Sequence, residues 1–476
     1  MKRLTVLVLV FSAALWASDV LPSTPHGQLV RQYLDAFNGG EASMRAFMEK
    51  NPTATPIDER LERYRGMKGD LGSMTPVRFV GEDAGSLQII VRNAAGDELS
   101  LTTMFASDKP QIVGFRIEPA DNGPQGNGQK PSGPPEDENK VLREVQDLVD
   151  QKSKAGEFSG TVLLARGEDV LWQGVYGFAN REARVPNQAD TRFDIGSIAK
   201  TFTRVAIGQL LEQGKLKLTD KVGAYLPDYP NQTVREQVTI QQLLGMRSGI
   251  GDFFGEKLNQ APKEKIRTLG DYLPLFAADP LLFPPGTQQK YSNGGYIVLG
   301  LIIESIAGQS YYDYVQKNIF ERAGMKNSAF GFRTGTDPKQ AIGYTTRLAT
   351  GEEPASGQGK DKDKAASAPE RHPNLGLLPA RGSSAGSAQS TAADLLLFVQ
   401  ALSKGKLASP STLSKVDIHP EGMGIAGGAV GLNAAMESGI PGAGSATYTV
   451  VVMSNFDPPS AESLSDQIRG LLRRAK

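Results

Sequence analysis

Ser197 and Lys200 stand three residues apart in Phe193-Asp194-Ile195-Gly196-Ser197-Ile198-Ala199-Lys200-Thr201-Phe202. On a helix that spacing puts the serine hydroxyl and the lysine amine on one face. A serine hydroxyl becomes an effective nucleophile only when a neighbouring base takes its proton. Lysine can be that base once burial or nearby charge lowers its pKa. The following residues supply the burial. Ile198, Ala199, Phe202, Val205, Ala206, Ile207, Leu210 and Leu211 put apolar side chains on nearly every side of a predicted helix, and Gly214 offers a stop. The serine falls at the helix start, where free N–H groups and the dipole favour developing negative charge. A second copy of the spacing, Ser403-Lys404-Gly405-Lys406, lies at the glycine-containing end of a helix expected over Thr391–Leu402, where charges are simply solvated. The chemistry suggested is acyl transfer through a serine, and context has to choose the copy.

The chain is 476 residues long, which suggests two or three domains. Its 52 basic residues balance 52 acidic ones, so bulk charge favours neither nucleic acid nor an anionic membrane as partner. His26, His372 and His419 share no ligand spacing and cysteine is absent, so no metal site of a usual kind and no disulfide is expected. Met1-Lys2-Arg3, the apolar run Leu4–Trp16 and the small residues Ala17 and Ser18 read as a secretory signal peptide over 1–18. That run is too short to span a membrane, and no other segment reaches the ~18 apolar residues a span needs. A periplasmic or secreted protein is the expectation.

Between residues 23 and 119, helical periodicity comes first and strand-like alternation after. Helices are predicted from Leu29 to Asn38, Ala42 to Met48 and Ile57 to Tyr64. Strands are predicted over Thr75–Val80, Leu87–Arg92, Leu99–Phe105 and Ile112–Pro119. Helices followed by antiparallel strands make a small α+β domain. The Asp-Ala-Phe-Asn-Gly-Gly helix end with four strands after it resembles the cone-shaped, cystatin-like domains of the nuclear transport factor superfamily. Residues 120–138 are rich in Gly, Pro and Asn without apolar period and read as a linker. From 139 to 476 an amphipathic helix and a hairpin (Phe158–Arg166, Val170–Tyr176) precede a long helical stretch. Strands at Gly424–Glu437 and Ala446–Asn455 and a helix over Ala461–Arg474 then complete the sheet. Gly351–Glu370 reads as a charged, low-complexity loop.

This second region resembles the serine β-lactamase and penicillin-binding-protein superfamily, in its class C-like branch. The likeness rests on FDIGSIAKTFT around Ser197, VTIQQLLGMRSGI at Val238–Ile250, FPPGTQQKYSNGGYIVLG at Phe283–Gly300 and SSAGSAQSTAADLLLF at Ser383–Phe398. It rests also on GIAGGAVGLNA at Gly424–Ala434, followed by YTVVVMSN. The resemblance implies that Ser197 is the acylated nucleophile, Lys200 its proton partner and Tyr291 a second base that relays a proton to the leaving group. Tyrosine is a feeble base unless nearby lysine charge lowers its pKa. Asn293 would bind substrate and orient Lys200, and the oxyanion would sit between the backbone N–H groups of Ser197 and Gly428. The third motif departs from the family's usual cationic pattern. In Gly424-Ile425-Ala426-Gly427-Gly428 an isoleucine stands at the cationic position, while the glycines that admit substrate, Gly427 and Gly428, are kept. This argues against carboxylate-bearing substrates.

Two other serine or tyrosine motifs compete on pattern alone. Gly382-Ser383-Ser384-Ala385-Gly386 matches a Gly-x-Ser-x-Gly nucleophile elbow, but no β-branched strand precedes it and no alternating parallel βα units surround it. Tyr229-Pro230-Asn231 repeats Tyr-x-Asn without the Pro-Gly-Thr approach, and Tyr229 reads as a packing residue. The sequence is therefore identified as an α/β (α+β) two-domain chain. A β-lactamase/transpeptidase-like domain with an antiparallel sheet and a helical insertion follows a small cone-like one. The expected activity is hydrolysis of an ester or a D-amino-acid peptide or amide through an acyl-enzyme on Ser197, with weak or no β-lactam hydrolysis. No cofactor or metal is implied. The expected partners are a small-molecule or peptide substrate and cell-wall fragments. The alternative function is a non-turnover binder of peptidoglycan fragments or peptides that uses the same cleft.

Overall fold

Thr24 caps the first helix by accepting a hydrogen bond from the Gly27 N–H at 3.1 Å, and Pro25 fills a first-turn position where no donor is needed. In this computed structural model, residues 20–52, 57–82, 86–94, 96–105, 111–119, 137–346, 370–441 and 447–475 are described. The expected signal peptide, residues 120–136 of the expected linker and residues 351–369 of the expected charged loop lie outside the described residues. The chain divides into two compact units, Met1–Pro134 and Pro135–Lys476.

In the first unit, helices α1 (Pro25–Asn38), α2 (Glu41–Lys50) and α3 (Ile57–Leu71) precede strands β1 (Thr75–Glu82), β2 (Ser86–Arg92), β3 (Glu98–Phe105) and β4 (Ile112–Pro119). The strands form one antiparallel sheet in sequence order. Helix α3 runs seven residues past the expected Tyr64, because Gly66 and Gly69 are tolerated in a helix whose end is fixed elsewhere. One such fixture is Asn38, whose amide donates to the Met74 carbonyl and accepts from the Met74 N–H, at 2.8 and 2.9 Å. Val30, Phe37, Met44, Leu61, Ile89, Val91 and Leu101 fill the core between helices and sheet. Tyr33 stacks on Phe115 there at 4.2 Å.

The second unit is built on five antiparallel strands. Helix α4 (Glu138–Lys154) leads into β5 (Gly160–Arg166) and β6 (Asp169–Tyr176), and the sheet is finished far along the chain by β7 (Gly424–Ala429), β8 (Leu432–Pro441) and β9 (Thr447–Ser454). Their spatial order is β7-β8-β9-β5-β6, so the strand that opens the unit lies beside one of the last. Strand alternation sends Val162, Leu164, Val450 and Val452 to one face. There they pack on Val141, Val145 and Val149 of α4 and on Leu464 and Ile468 of α8 (Ser460–Leu472), the last helix in the chain. Leu163, Ala165, Val451 and Met453 face the other way, into the helical insertion. Both faces are buried, which is why these strands read as continuous apolar runs.

That insertion carries three helices that matter for the site: α5 (Lys200–Glu212), α6 (Asn293–Ala307) and α7 (Ala392–Ser403). Helix α5 is buried on nearly every side, with the Phe202 ring edge-on to Phe320 and Phe398 at 5.0 and 4.9 Å. A polar side chain on such a helix has no solvent to turn to, and Lys200 is its first residue.

Candidate active site

The α-helix does not begin at Ser197, as the spacing suggested, but at Lys200. Gly196–Ala199 forms a turn of 3₁₀ helix. Gly196 has φ +49°, and Ile198 N–H donates to the Ile195 carbonyl at 3.2 Å. In 3₁₀ geometry residues three apart eclipse one another, so Ser197 still stands directly over Lys200. Lys200 Nζ lies 3.1 Å from Ser197 Oγ, 2.6 Å from Asn293 Oδ1, and also donates to the Ala385 carbonyl. Tyr291 approaches Ser197 Oγ from the other side, with its hydroxyl 2.6 Å away. Lys200 Nζ is 4.7 Å from the centre of the Tyr291 ring.

Each partner is fixed by its own local structure. Ser292 caps α6 by accepting from Gly295 N–H at 2.9 Å, which places Asn293 at the first helical position. Asn293 Nδ2 donates to Asp252 Oδ2 at 2.7 Å, so its oxygen must face Lys200. The Ala385 carbonyl comes from a tight turn closed by reciprocal Ser383 and Gly386 backbone hydrogen bonds of 2.7 and 3.0 Å.

Burial dominates the titration of Lys200. Desolvation drives its pKa down from 10.5 to about 7; the Asp252 carboxylate opposes this and Arg204 adds to it. Tyr291 behaves otherwise than the sequence suggested. Its pKa is raised, first by desolvation and then by Asp252, against the hydrogen bond with Ser197. The Tyr291 side chain is half exposed, and its hydroxyl meets a half-buried Ser197. With its pKa raised above the ordinary value of 10, the phenol is protonated at neutral pH.

The amine has three neighbours: the Asn293 oxygen, the Ala385 carbonyl and Ser197 Oγ. A protonated lysine can donate to all three. A neutral one donates to the first two and turns its lone pair to Ser197. The arrangement can therefore take the serine proton with a base that is close to half neutral near pH 7.

Strand β7 lies against the serine turn. A Cβ on Gly427 would meet Ile195 O at 2.2 Å and Ser197 N at 2.5 Å, and a Cβ on Gly196 would meet Gly428 N at 2.7 Å. Only glycines let these two backbones close up, and the closure sets Gly427 against the Ser197 nitrogen and Gly196 against the Gly428 nitrogen. Asn433, fully buried on β8, holds the strand in place. Its amide donates to the Gly427 carbonyl at 3.1 Å, while its oxygen accepts from Ala461 and Glu462 at the start of α8. Ile425, two residues before Gly427, shares that face and packs against the core.

The competing motifs are placed elsewhere. Ser384 is fully buried against α6 at Gly300, and its hydroxyl has no hydrogen-bond partner. Ser403 donates to the Val399 carbonyl at 3.0 Å, and Lys404 pairs with Glu168 at 2.6 Å. Tyr229 sits in the core.

The Beta-lactamase family profile matches residues 145–472, well over half of the chain. The chain belongs to the Beta-lactamase family. Penicillin-binding protein 4* of Bacillus subtilis is 34% identical over 188 residues, which are 39% of this chain and 41% of that protein. The chain thus spans less than half the length of the curated relatives it matches. Among solved structures, a penicillin binding protein from Bacillus halodurans superposes with a TM-score of 0.56 at 29% identity, over 70% of this chain and 98% of that one. EstCE1, a hydrolase with promiscuous acyltransferase activity, shares the fold at a TM-score of 0.52 and 22% identity, over 70% and 99% of the two chains. The likeness read from the motifs is borne out for the β-lactamase and penicillin-binding-protein superfamily, as is the α/β fold.

Within this Beta-lactamase-family fold, sequence reading missed four contributors. Asp252 lies two residues past the quoted Arg-Ser-Gly-Ile motif. The Ala385 carbonyl carries no side-chain signal. Asn433 looks like any polar residue near a turn. The Asp194–Arg333 pair joins residues 139 apart. Among the described residues no three His, Asp or Glu side chains gather as metal ligands.

Proposed function

We propose that this protein is an exported serine hydrolase that forms an acyl-enzyme on Ser197 and acts on neutral esters in preference to β-lactams. The observation that carries the reading is Ser197 Oγ held between the buried Lys200 amine at 3.1 Å and the Tyr291 hydroxyl at 2.6 Å. Neutral Lys200 takes the Ser197 proton as Oγ attacks the acyl carbon. The oxyanion that forms is met by the Ser197 and Gly428 N–H groups, each such donor contributing ~3 kcal/mol to the transition state. Tyr291 gives its proton to the leaving alcohol and recovers one from the Lys200 ammonium, which holds the proton taken from Ser197. Water then attacks the acyl-enzyme by the same steps in reverse. Asn293 orients Lys200 and hydrogen-bonds substrate.

Substrate class follows from Ile425. With an aliphatic side chain on the face of β7 that meets the serine turn, a substrate carboxylate finds no cation at that position, whereas a neutral ester keeps its apolar contact. D-amino-acid amides are the second substrate class, more demanding because an amine leaving group must be protonated. Export is supported by the basic and apolar opening of the chain. No described helix is long and apolar enough to cross a membrane.

The test is intact-mass labelling with a fluorophosphonate and with a penicillin, alongside turnover of short-chain esters and D-amino-acid amides. Ser197→Ala should abolish labelling and turnover, while Ser384→Ala leaves both largely intact. Labelling that follows Ser384 or Ser403 overturns the assignment, and an acyl-enzyme that never turns over makes the protein a binder.

A further inference from the structure

Asp194 lies three residues before the serine, and its side chain and that of Arg333 are each 12% exposed. Its Oδ1 accepts the Gly196 N–H at 3.0 Å, and its Oδ2 takes both Nε, at 3.2 Å, and Nη2 of Arg333. The other guanidinium nitrogen, Nη1, donates to the Pro379 carbonyl, and the Arg333 backbone N–H donates to Ala380 O at 2.9 Å. One arginine thus ties the chain entering the serine turn to the start of the segment running from Pro379 to Ser390. That segment returns to the same turn. Ser387 N–H donates to Gly196 O at 2.9 Å, Ile195 N–H donates to Ala388 O at 3.0 Å, and Phe193-Asp194 pairs with Gln389-Ser390 as a short antiparallel ladder. Midway along it sits Ala385, whose carbonyl holds Lys200.

Resting on the reading of Ser197 as nucleophile, we infer that Asp194, clamped by Arg333, is a positioning residue for the reaction. It fixes the Gly196 peptide, and with it the direction of the Ser197 N–H and Oγ. Through the shared 379–390 segment it also fixes the Ala385 acceptor that turns the lysine lone pair to the serine. Neither residue touches the reacting atoms. The left-handed Gly196 turn is where such a device is needed. With no side chain, Gly196 is free to relax, and its N–H would otherwise lack the acceptor that sets the peptide plane. A shift of about 1 Å in a reacting group is enough to lower turnover by about a hundredfold.

The experiment uses the full-length protein with a neutral ester and a fluorophosphonate, with thermal unfolding of every variant. Asp194→Asn keeps an oxygen for Gly196 but turns an amide N–H₂ group to Arg333, in place of the carboxylate oxygen that accepts its fork. Arg333→Gln removes the fork. Each is expected to lower kcat and the phosphonylation rate by about ten- to a hundredfold, with KM within about threefold of the parent. The double variant should be no slower than the slower single one, because the two side chains act as one unit. Arg333→Lys, which keeps the charge without the fork, should recover little. Parent-like rates in Asp194→Asn and Arg333→Gln overturn the proposal, as does a loss carried mainly by KM. So does a failure of every variant to fold, which would make the pair a stability element only. Ser197→Ala run in parallel separates the two readings. If Ser197→Ala still labels, the nucleophile assignment falls; if it does not label and Asp194→Asn is parent-like, only the positioning role falls.

Discussion

Lys200 Nζ donates to Asn293 Oδ1 across 2.6 Å, although 93 positions separate the two residues in the chain. Behind Asn293, Asp252 accepts from its amide nitrogen, so the oxygen cannot rotate away. Together with the Ala385 carbonyl, this contact occupies both N–H donors of a neutral lysine and leaves its lone pair for Ser197.

The first prediction concerns pH. With Lys200 at about 7, kcat/KM for a neutral ester should rise through an ascending limb near pH 7. Asp252 raises the Lys200 pKa, so Asp252→Asn should move that limb to lower pH. Stability has a linked sign. The unfolded lysine stays protonated up to its ordinary 10.5, so between about pH 7 and 10.5 the unfolded state binds more protons and this group makes stability rise with pH. Below about 7 the full cost of the buried charge is present. Lys200→Met should therefore raise Tm more at pH 6 than at pH 9, as differential scanning calorimetry would show.

Tyr291→Phe removes the proton donor for the leaving group and leaves the Lys200–Ser197 contact. Turnover of an alkyl ester, whose alcohol needs that proton, should fall by roughly 10²–10⁴. A nitrophenyl ester, whose leaving group departs as a stable anion, should lose far less. Equal losses on both, measured as kcat, would place Tyr291 outside proton transfer to the leaving group.

Ile425→Lys should shift the ratio of kcat/KM values toward substrates that carry a carboxylate. One charge-assisted hydrogen bond contributes roughly 1.5–3 kcal/mol, or about ten- to a hundredfold in affinity. Efficient penicillin hydrolysis by the unmodified protein would contradict the substrate reading and require another cation at that position. Arg381 is poorly suited to that part, since its Nε donates to Phe330 O at 2.7 Å and its guanidinium lies 3.5 Å from the Tyr312 ring centre. Arg247 donates to Gly286 O at 2.6 Å.

A chain beginning at Asp137 should fold and hydrolyse esters without residues 1–136. Among the described residues, the cores of the second unit draw on residues from Val141 onward, and the core of the first on residues up to Ile117. A cooperative unfolding transition with kcat near that of the whole chain is the expected result. Loss of all activity in a folded fragment would mean that the first unit helps to build the site.

What the sequence by itself determined was whatever local spacing and apolar period encode. Ser197 and Lys200 are three apart on a stretch apolar all round, and both 3₁₀ and α geometry bring residues three apart together, so their meeting survived a change in helix type. The apolar runs Val162–Ala165 and Val450–Met453 announced strands. Gly427 was legible because only glycine allows a strand to lie against another backbone. The tertiary structure alone decided the electrostatics. Whether Lys200 or Tyr291 is the resting base depends on how much water each loses and which carboxylate lies near. Asp252, the Ala385 carbonyl and the Arg333 fork reach the serine turn only when segments 50 to 190 residues away fold onto it. Desolvation and Coulomb terms depend on distances through space, and no period in the chain records them.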